Sequence, residues 1–597
     1  MTNSPRPTVA PGVLGEILAS APARLQRKLD KNPEAAEDWK WQHKDGEVVV
    51  DTGSETVTLK ANEIRTVDNV TCTCLLSPRC FHVVATLSLL EIADAGEESE
   101  AAVEPEVIAD DEENRLTDKQ ARAAKEMFNV LGTILAGGLR AAGASQQSRL
   151  LRAVHECRSH GLHRLAASGL RVLQHIRQLR IDAHATDEVA SEFDSDVAVT
   201  DLGDALEVAW RLCQLEENAA LPAPIVGTAR RRYTPFTSMK LHGLFSEPIL
   251  TNSGYAGAVT YLISEDGWMA SVSDVQPGDA SRLRQAWKSG VDVAGMSISN
   301  RELSRSALLI SQATRSADGR IGGGQSARAV AVKTEGWSCA AIQKRFNEPL
   351  TAQIERCFSL QTLPFEQRPA GSDFVFVTAE MMGYMGHRLI GRDVNSDSVL
   401  QFSIPIDHDE VPFRENFSLL ARAPGQVWQC IGRVQLSQPG EISLLALAPH
   451  LIEGQEHVFS LPDSMSFHVD LGFDELSRSH FTKAERSPVQ FPVQAATNTV
   501  SDDVLFRWLR AIAIGGRHAV PSGKVNAMVR DARHLARQLR PTASALLTNL
   551  AETAVSTSTD LRGLRFPANS ESLAQHWLAA EFAYRSSKRH LAQKMWA

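Results

Sequence analysis

The chain has 597 residues, 43% hydrophobic and 22% charged, with a formal net charge of −9. That length exceeds what one hydrophobic core can serve and implies about three to five domains. No stretch approaches the roughly 18 uninterrupted apolar residues of a membrane helix.

Eight cysteines are too few for a secreted disulfide scaffold, and five of them (Cys157, Cys213, Cys339, Cys357, Cys430) lie far apart. The opening MTNSPRPTVAPGVLGEILAS has no basic n-region and places Glu16 inside its only apolar run, so it does not read as a signal peptide. A cytoplasmic setting is expected. Residues 1–92 read as a small α/β module. GVLGEILASAPARLQRKLDK puts Leu14, Ile17, Leu18, Ala21, Leu25 and Leu29 on one helical face. EVVVDTG and ETVTLKA read as two strands, and FHVVATLSLLEIAD as a helix.

Residues 93–114 are an acidic linker: 94–114 hold ten acids and no base, and removing them leaves a net charge of +1. So polar a stretch buries too little apolar area to offset its ordering and is expected to be disordered. Thr117 and Gln120 form a capping box that opens a helix, and three more helical patterns follow, so 115–220 read as a helical bundle. After LPAPIVG the hydrophobic period changes to two. GAVTYLIS and WMASVSDV flank a hairpin turn at Glu265–Gly267. A helix is expected around ELSRSALLISQATRSA, and DFVFVTA, SVLQFSI, NFSLLA, VWQCIGRVQL, EISLLALA, HVFSL and SFHVDL read as strands. This gives two β-rich domains, 228–360 with inserted helices and 361–490, of barrel or sandwich type. Residues 495–597 return to helix and carry fourteen Lys/Arg against seven Asp/Glu. The expected class is therefore a multidomain α+β chain: a small ββα finger, a helical bundle, a β-rich middle and a basic helical C-terminal region.

The densest chemistry is TCTCLLSPRCFH, residues 71–82. Cys72 and Cys74 are two apart, as are Cys80 and His82, and residues i and i+2 of an extended chain project to the same side. Each pair can thus offer two donors at once, and Ser77-Pro78 supplies the reversal between pairs. Three thiolates with one imidazole suit a single tetrahedral zinc ion. Cys80 sits where a helix begins, and the positive helix end favours its thiolate. A redox C-x-C site is the rival reading, and it leaves Cys80 and His82 without a role.

The pattern C-x-C-x5-C-x-H, after short strands and before a helix, resembles the SWIM zinc finger. All four pattern positions are present, although the spacer is short for that family. The resemblance covers about 40 residues in detail. It implies a structural zinc that fixes a surface for protein or nucleic acid and performs no catalysis. Beyond the finger, a looser likeness to long bacterial proteins with an N-terminal SWIM domain suggests MoxR-type AAA+ ATPases and von Willebrand factor A proteins as partners.

Residues 1–90 carry ten Lys/Arg and eleven Asp/Glu, so the finger as a whole is no phosphate binder. Arg79, with Arg24, Arg27, Lys28 and Lys31 of the first helix, still makes a candidate local patch. Arg530, Arg533, Arg537 and Arg540 recur at spacings of 3, 4 and 3, which places all four on one helical face. That face suits a nucleic-acid backbone or an acidic protein segment, and equally a solvated surface. RRRYTPF (230–236) reads as a basic linker. HECRSHGLH cannot bring His155, Cys157, His160 and His163 together unless the helix breaks. IDHDE (406–410) reads as a loop, and GRIGGGQS lacks the lysine of a phosphate loop. No catalytic constellation emerges, so the expected function is a non-enzymatic adaptor. DNA or RNA binding is the alternative, as is an enzyme whose site lies unread in the β-rich middle.

Overall fold

The computed structural model describes residues 6–93, 115–182, 193–481 and 503–596, apart from positions 33, 45–46, 62, 217, 228–232, 252–253, 325, 437, 452–456, 464, 521, 560–564 and 568. The acidic run 94–114 and Arg230–Arg232 therefore lie outside the described residues. The chain divides into two units. One comprises residues up to 230 together with 498–587, the other 231–497 together with 588–597.

In the first unit the expected opening helix is two helices, α1 (Pro11–Ser20) and α2 (Ala23–Lys31). Pro22 explains the break, because its ring and missing N–H cannot continue a helix. The finger holds more strand than the ββα expectation. Lys40–Lys44, Glu47–Asp51, Thr56–Leu59 and Val70–Cys72 form a four-stranded antiparallel sheet. The strand at Lys40–Lys44 has a mostly exposed, charged sequence, which hides it from a hydrophobicity reading. Thr8–Val9 pairs in parallel with Glu63–Ile64 and Glu91–Ile92. Helix α3 (Phe81–Ser88) leads from the cysteine loop into the core, burying Val83, Val84 and Leu87.

Four long helices follow: Asp118–Gly137, Ala144–Ser159, His163–Asp182 and Ser195–Cys213. The capping box is present in full, with Gln120 N donating to Thr117 Oγ1 and Thr117 N to Gln120 Oε1. The helices Val504–Gly515, Ser522–Arg537 and Pro541–Val555 follow, together with the greater part of the long helix Ser570–Trp596. One hydrophobic cluster runs from Val57 and Val83 through Met127 and Leu151 to Leu509, Leu547 and Trp577. Gly138 (φ 88) and Gly516 (φ 62) meet backbone to backbone there, and a Cβ at either would lie about 2.5 Å from the other segment. Only glycine fits such an approach.

The second unit contains two sheets whose five principal strands follow the same order, with the short strands Ile321–Gly322 in the first and Val469–Asp470 in the second added outside it. In the first, Tyr233–Leu250, Tyr255–Ser264 and Met269–Pro277 form a meander. The fourth strand, Ala307–Ser316, returns beside the first, and Arg328–Val332 pairs with the fourth. In the second, the meander is Phe374–Met385, Arg388–Asp393 and Val399–Ser403. Gln426–Val434 returns beside the first strand and Glu441–Pro449 pairs with it. Helical segments join the third and fourth strands in both. This is the Greek-key order of OB-type barrels. Among the described residues, Arg328–Val332 of the first sheet does not pair with its third strand, Met269–Pro277. The second brings Gln401–Ser403 alongside Glu441–Ser443 over three residue pairs. Among the described residues neither sheet is a fully closed barrel, and one apolar cluster draws on both, with Phe245 and Ile263 of the first against Phe374 and Ile431 of the second.

Two expectations are corrected. The helix expected around ELSRSALLISQATRSA is confined to Asn300–Leu303, and Ala307–Ser316 is the fourth strand. Leu308 and Ile310 point into the core while Leu309 is 41% exposed, an alternation that decides for strand. Conversely NFSLLA is helical, within Phe413–Leu420, whose inward face carries Phe413, Asn416, Phe417 and Leu420 at helical spacing. HVFSL contributes only a bridge from Phe459 to Phe481, and SFHVDL only the short strand Val469–Asp470.

Candidate metal centre

Local sequence forces three cysteines and one histidine to converge. The edge strand Val70–Cys72 pairs with Thr56–Leu59, so Cys72 is held opposite Val57. The chain leaves the strand with Thr73 N donating to Thr56 O, and Cys72 N donates to Ser77 Oγ across the loop. Cys80 is the N-cap of α3: its sulfur accepts from Val83 N at 3.4 Å. His82 is in the first turn of that helix. The four donor atoms all lie within 4.8 Å of one another, and Cys72 Sγ is 3.8 Å from His82 Nδ1. Bonds of ~2.3 Å to sulfur span ~3.8 Å between neighbouring ligands of a tetrahedron. The donor set and its spacing fit zinc. Among the described residues it is the one group of three or more His, Cys, Asp or Glu side chains so arranged.

The thiols also show what a cation would relieve. Burial pushes Cys80 up to about 12, outweighing the Val83 N–H at the helix start, and burial likewise raises Cys72. Burial pushes the same way at Cys74, but the Leu76 N–H and the neighbouring thiols bring it below its usual value. Three crowded sulfurs resist ionising together unless a positive ion sits between them. The expected helix-end benefit at Cys80 is present as a hydrogen bond, yet burial dominates the electrostatics.

Trp39 is a neighbour that the spacing of the motif gave no reason to name. Its ring meets His82 edge-on at 6.0 Å and Phe81 at 6.4 Å. A tryptophan so far ahead of Cys72 carries no local signal, and only the sheet brings it there. Arg79 is exposed beside Cys80.

Of the four C-terminal arginines, Arg530, Arg533 and Arg537 stand exposed on Ser522–Arg537 with no carboxylate partner among the described residues. Arg540 lies beyond that helix and pairs with Asp503 at 2.7 Å, so the four do not share one face. His155, Cys157, His160 and His163 do not converge: the helix ends at Ser159, Gly161 takes φ 80, and a new helix starts at His163. Cys157 is buried. Asp407 and Asp409 of IDHDE face Arg414 on the surface.

A second polar cluster, unforeseen in the sequence, lies buried in the β-rich unit. Asp470 Oδ1 accepts from Ser246 N and faces His468 Nε2, both at 3.0 Å, and Oδ2 accepts from Ser304 Oγ and Arg305 Nη1. Arg305 also donates to Asp474 at 2.6 Å. Burial pushes Asp474 up to about 7, whereas Arg305 and His468 outweigh burial at Asp470 and hold it below its usual value. His468 stacks on Trp337, fully enclosed. This network joins the two sheets, with Asp470 and His468 fully buried and Arg305 reaching toward a surface hollow.

No protein family matches the sequence, and no curated protein matches it either. A solved structure described as "Structural mimicry for functional antagonism" aligns with 36% of this chain and 90% of its own length, at 9% identity and a TM-score of 0.17. A likeness that low carries no argument. What the fold and the site define is a mixed α and β multidomain protein with a Cys3His cluster able to hold a metal ion. No helix among the described residues is long and apolar enough to cross a membrane.

Proposed function

We propose that this chain is a non-enzymatic zinc-binding adaptor whose N-terminal finger, of SWIM type, presents a surface to a protein partner. The observation that carries the reading is the convergence of Cys72, Cys74, Cys80 and His82 within 4.8 Å. Four protein ligands leave no open coordination position, so one zinc ion there would act structurally. It would tie the edge strand to the start of α3, and the exposed loop between them, with Leu75, Leu76 and Arg79, would be held in one shape. A MoxR-type AAA+ ATPase or a von Willebrand A protein is the partner class that the sequence resemblance suggests, in a cytoplasmic setting.

The test is metal analysis of the purified full chain, followed by affinity capture from the native cell with and without nuclease. One zinc per chain and a nuclease-resistant protein partner are expected. Absence of stoichiometric zinc overturns the finger, and capture that vanishes with nuclease overturns the protein partner. One observation favours nucleic acid as a second reading: Arg530, Arg533 and Arg537 lack acidic partners among the described residues, whereas Arg507, Arg510 and Arg540 all have them.

A further inference from the structure

Beside the metal cluster lies a hollow of about 330 Å³, walled by Lys28, Asn32, Trp39, Thr52, Phe81 and His82. We infer that this hollow docks an acidic peptide segment of a partner protein that carries one apolar or aromatic anchor. The inference rests on the zinc-finger reading, because His82 forms part of the wall.

Three features select that occupant. The first is an aromatic floor. Trp39 meets Phe81 and His82 edge-on, leaving half-buried apolar surface open to solvent at the size of one side chain. Burying an anchor there releases water from both partners.

The second is charge. On α2, Arg24 is one turn before Lys28 and Lys31 three residues after it, and Asn32 caps the helix C-terminus. Arg24, Arg27, Lys28 and Lys31 are all exposed, and none has a carboxylate partner among the described residues. Other arginines of the same module are paired, Arg6 with Glu37 and Arg65 with Glu63. No acid lines the hollow among the described residues, so its uncompensated charge is positive and its complement is a carboxylate.

The third feature argues against a nucleic acid. Base binding needs a free aromatic face on which to stack. Here the Lys28 ammonium lies 3.9 Å over the Phe81 ring, and the two large rings stand at 79° to each other. The module as a whole also carries no excess of positive charge to follow a phosphate backbone.

The experiment uses the full zinc-loaded chain and fluorescence anisotropy. The probes are a short peptide of Asp and Glu around one central Phe, the same peptide with Ala for the Phe, and oligo(dT). Binding of the first peptide is expected, weakened tenfold or more by Lys28→Glu and by Trp39→Ala. The Ala peptide should bind at least several-fold more weakly, and oligo(dT) should not compete. Added salt should weaken binding to the wild type more steeply than to Lys28→Glu. Zinc content is measured on every sample. Lys28 is exposed and is not one of the four ligands, so Lys28→Glu is expected to keep its zinc and remains decisive even where Trp39→Ala disturbs the fold. Zinc-loaded chain that ignores the peptide, or binds it equally well as Lys28→Glu, overturns the docking site and leaves the finger standing. Oligo(dT) binding lost in Lys28→Glu assigns the hollow to nucleic acid instead. Wild type without zinc overturns the finger itself.

Discussion

The finger and the β-rich unit treat charge in opposite ways. In the β-rich unit arginines are consumed internally: Arg305 by Asp470 and Asp474, Arg433 by Glu247 and Asp373, Arg282 by Asp274, Arg392 by Glu380. Its core adds large rings, with Phe245, Tyr261 and Phe374 in mutual contact between the sheets. The finger has a core of small aliphatic residues such as Val48, Val50, Val57 and Val83, three crowded thiols, and a helix of cations that no described carboxylate neutralises. A region that satisfies its own polar groups has little left to offer a partner. The OB-type strand order therefore says less about binding than the smaller module does, since fold alone does not fix function. Chemistry left uncompensated is the better guide.

The sharpest way to break this comparison is to remove the metal. Cys80→Ser deletes a ligand that is also the α3 N-cap. Structural zinc in finger peptides supplies ~10–16 kcal/mol of apparent binding energy at neutral pH. Complete loss of zinc is expected, with hydrogen-exchange protection collapsing across residues 40–93 and unchanged in 233–449. A chelator should do the same to the wild type. Persistence of protection at 40–93 without metal would show that the finger folds on its shared core alone.

Next in size is Asp470→Ala. It strands Arg305 and His468 in the interior and removes the acceptor for Ser246 N. Breaking a buried pair from one side costs about 3–5 kcal/mol. Denaturant unfolding of the β-rich unit should shift by that amount while zinc content stays at one. A loss under about 1 kcal/mol would mean that water reaches the cluster.

How much of this could be read in the sequence divides along the same line. The cysteine motif was legible because metal ligation is a local pattern: two i, i+2 pairs and a turn already determine which side chains can meet. The capping box at Thr117 was legible for the same reason. The strand Ala307–Ser316 was not, since LLISQAT is apolar enough to suit a helix and only its neighbours at Leu241 and Ala329 decide. The shared topology of the two sheets left no trace, because strand order is set by pairings between segments far apart in the chain. Asp470, His468 and Arg305 were silent too: single charged residues in sequence look solvated until the fold encloses them. Arg540 shows the reverse failure, where a regular spacing continued past the end of the helix.

A third, smaller effect concerns pH in the first unit. Glu581 is buried against Gly203, and burial pushes it up to about 7, opposed by Arg585 and reinforced by Glu207 and Asp204. A carboxyl raised above its unfolded value stabilises the fold below about pH 4.5, and that contribution is lost as pH rises through 7. The difference is at most about 3 kcal/mol. Glu581→Gln should flatten the fall in stability between pH 5 and 8, read by thermal unfolding at each pH. An unchanged slope would assign the dependence elsewhere.

The smallest stability effect is expected at the exposed arginine helix, and its smallness is informative. Arg533→Glu with Arg537→Glu breaks no ion pair among the described residues, so stability should move by no more than about 0.5 kcal/mol. Arg540→Glu, by contrast, sets a carboxylate against the nearly buried Asp503 and should destabilise the unit measurably. If the three exposed arginines grip a phosphate backbone, the double reversal should lower heparin and DNA retention and reduce the salt slope by ~0.9 for each phosphate that is no longer neutralised. If they are only a solvated face, retention and slope stay where they were. The two arginine classes thus separate cations that hold the molecule together from cations that remain available, the same distinction that sets the finger apart from the β-rich unit.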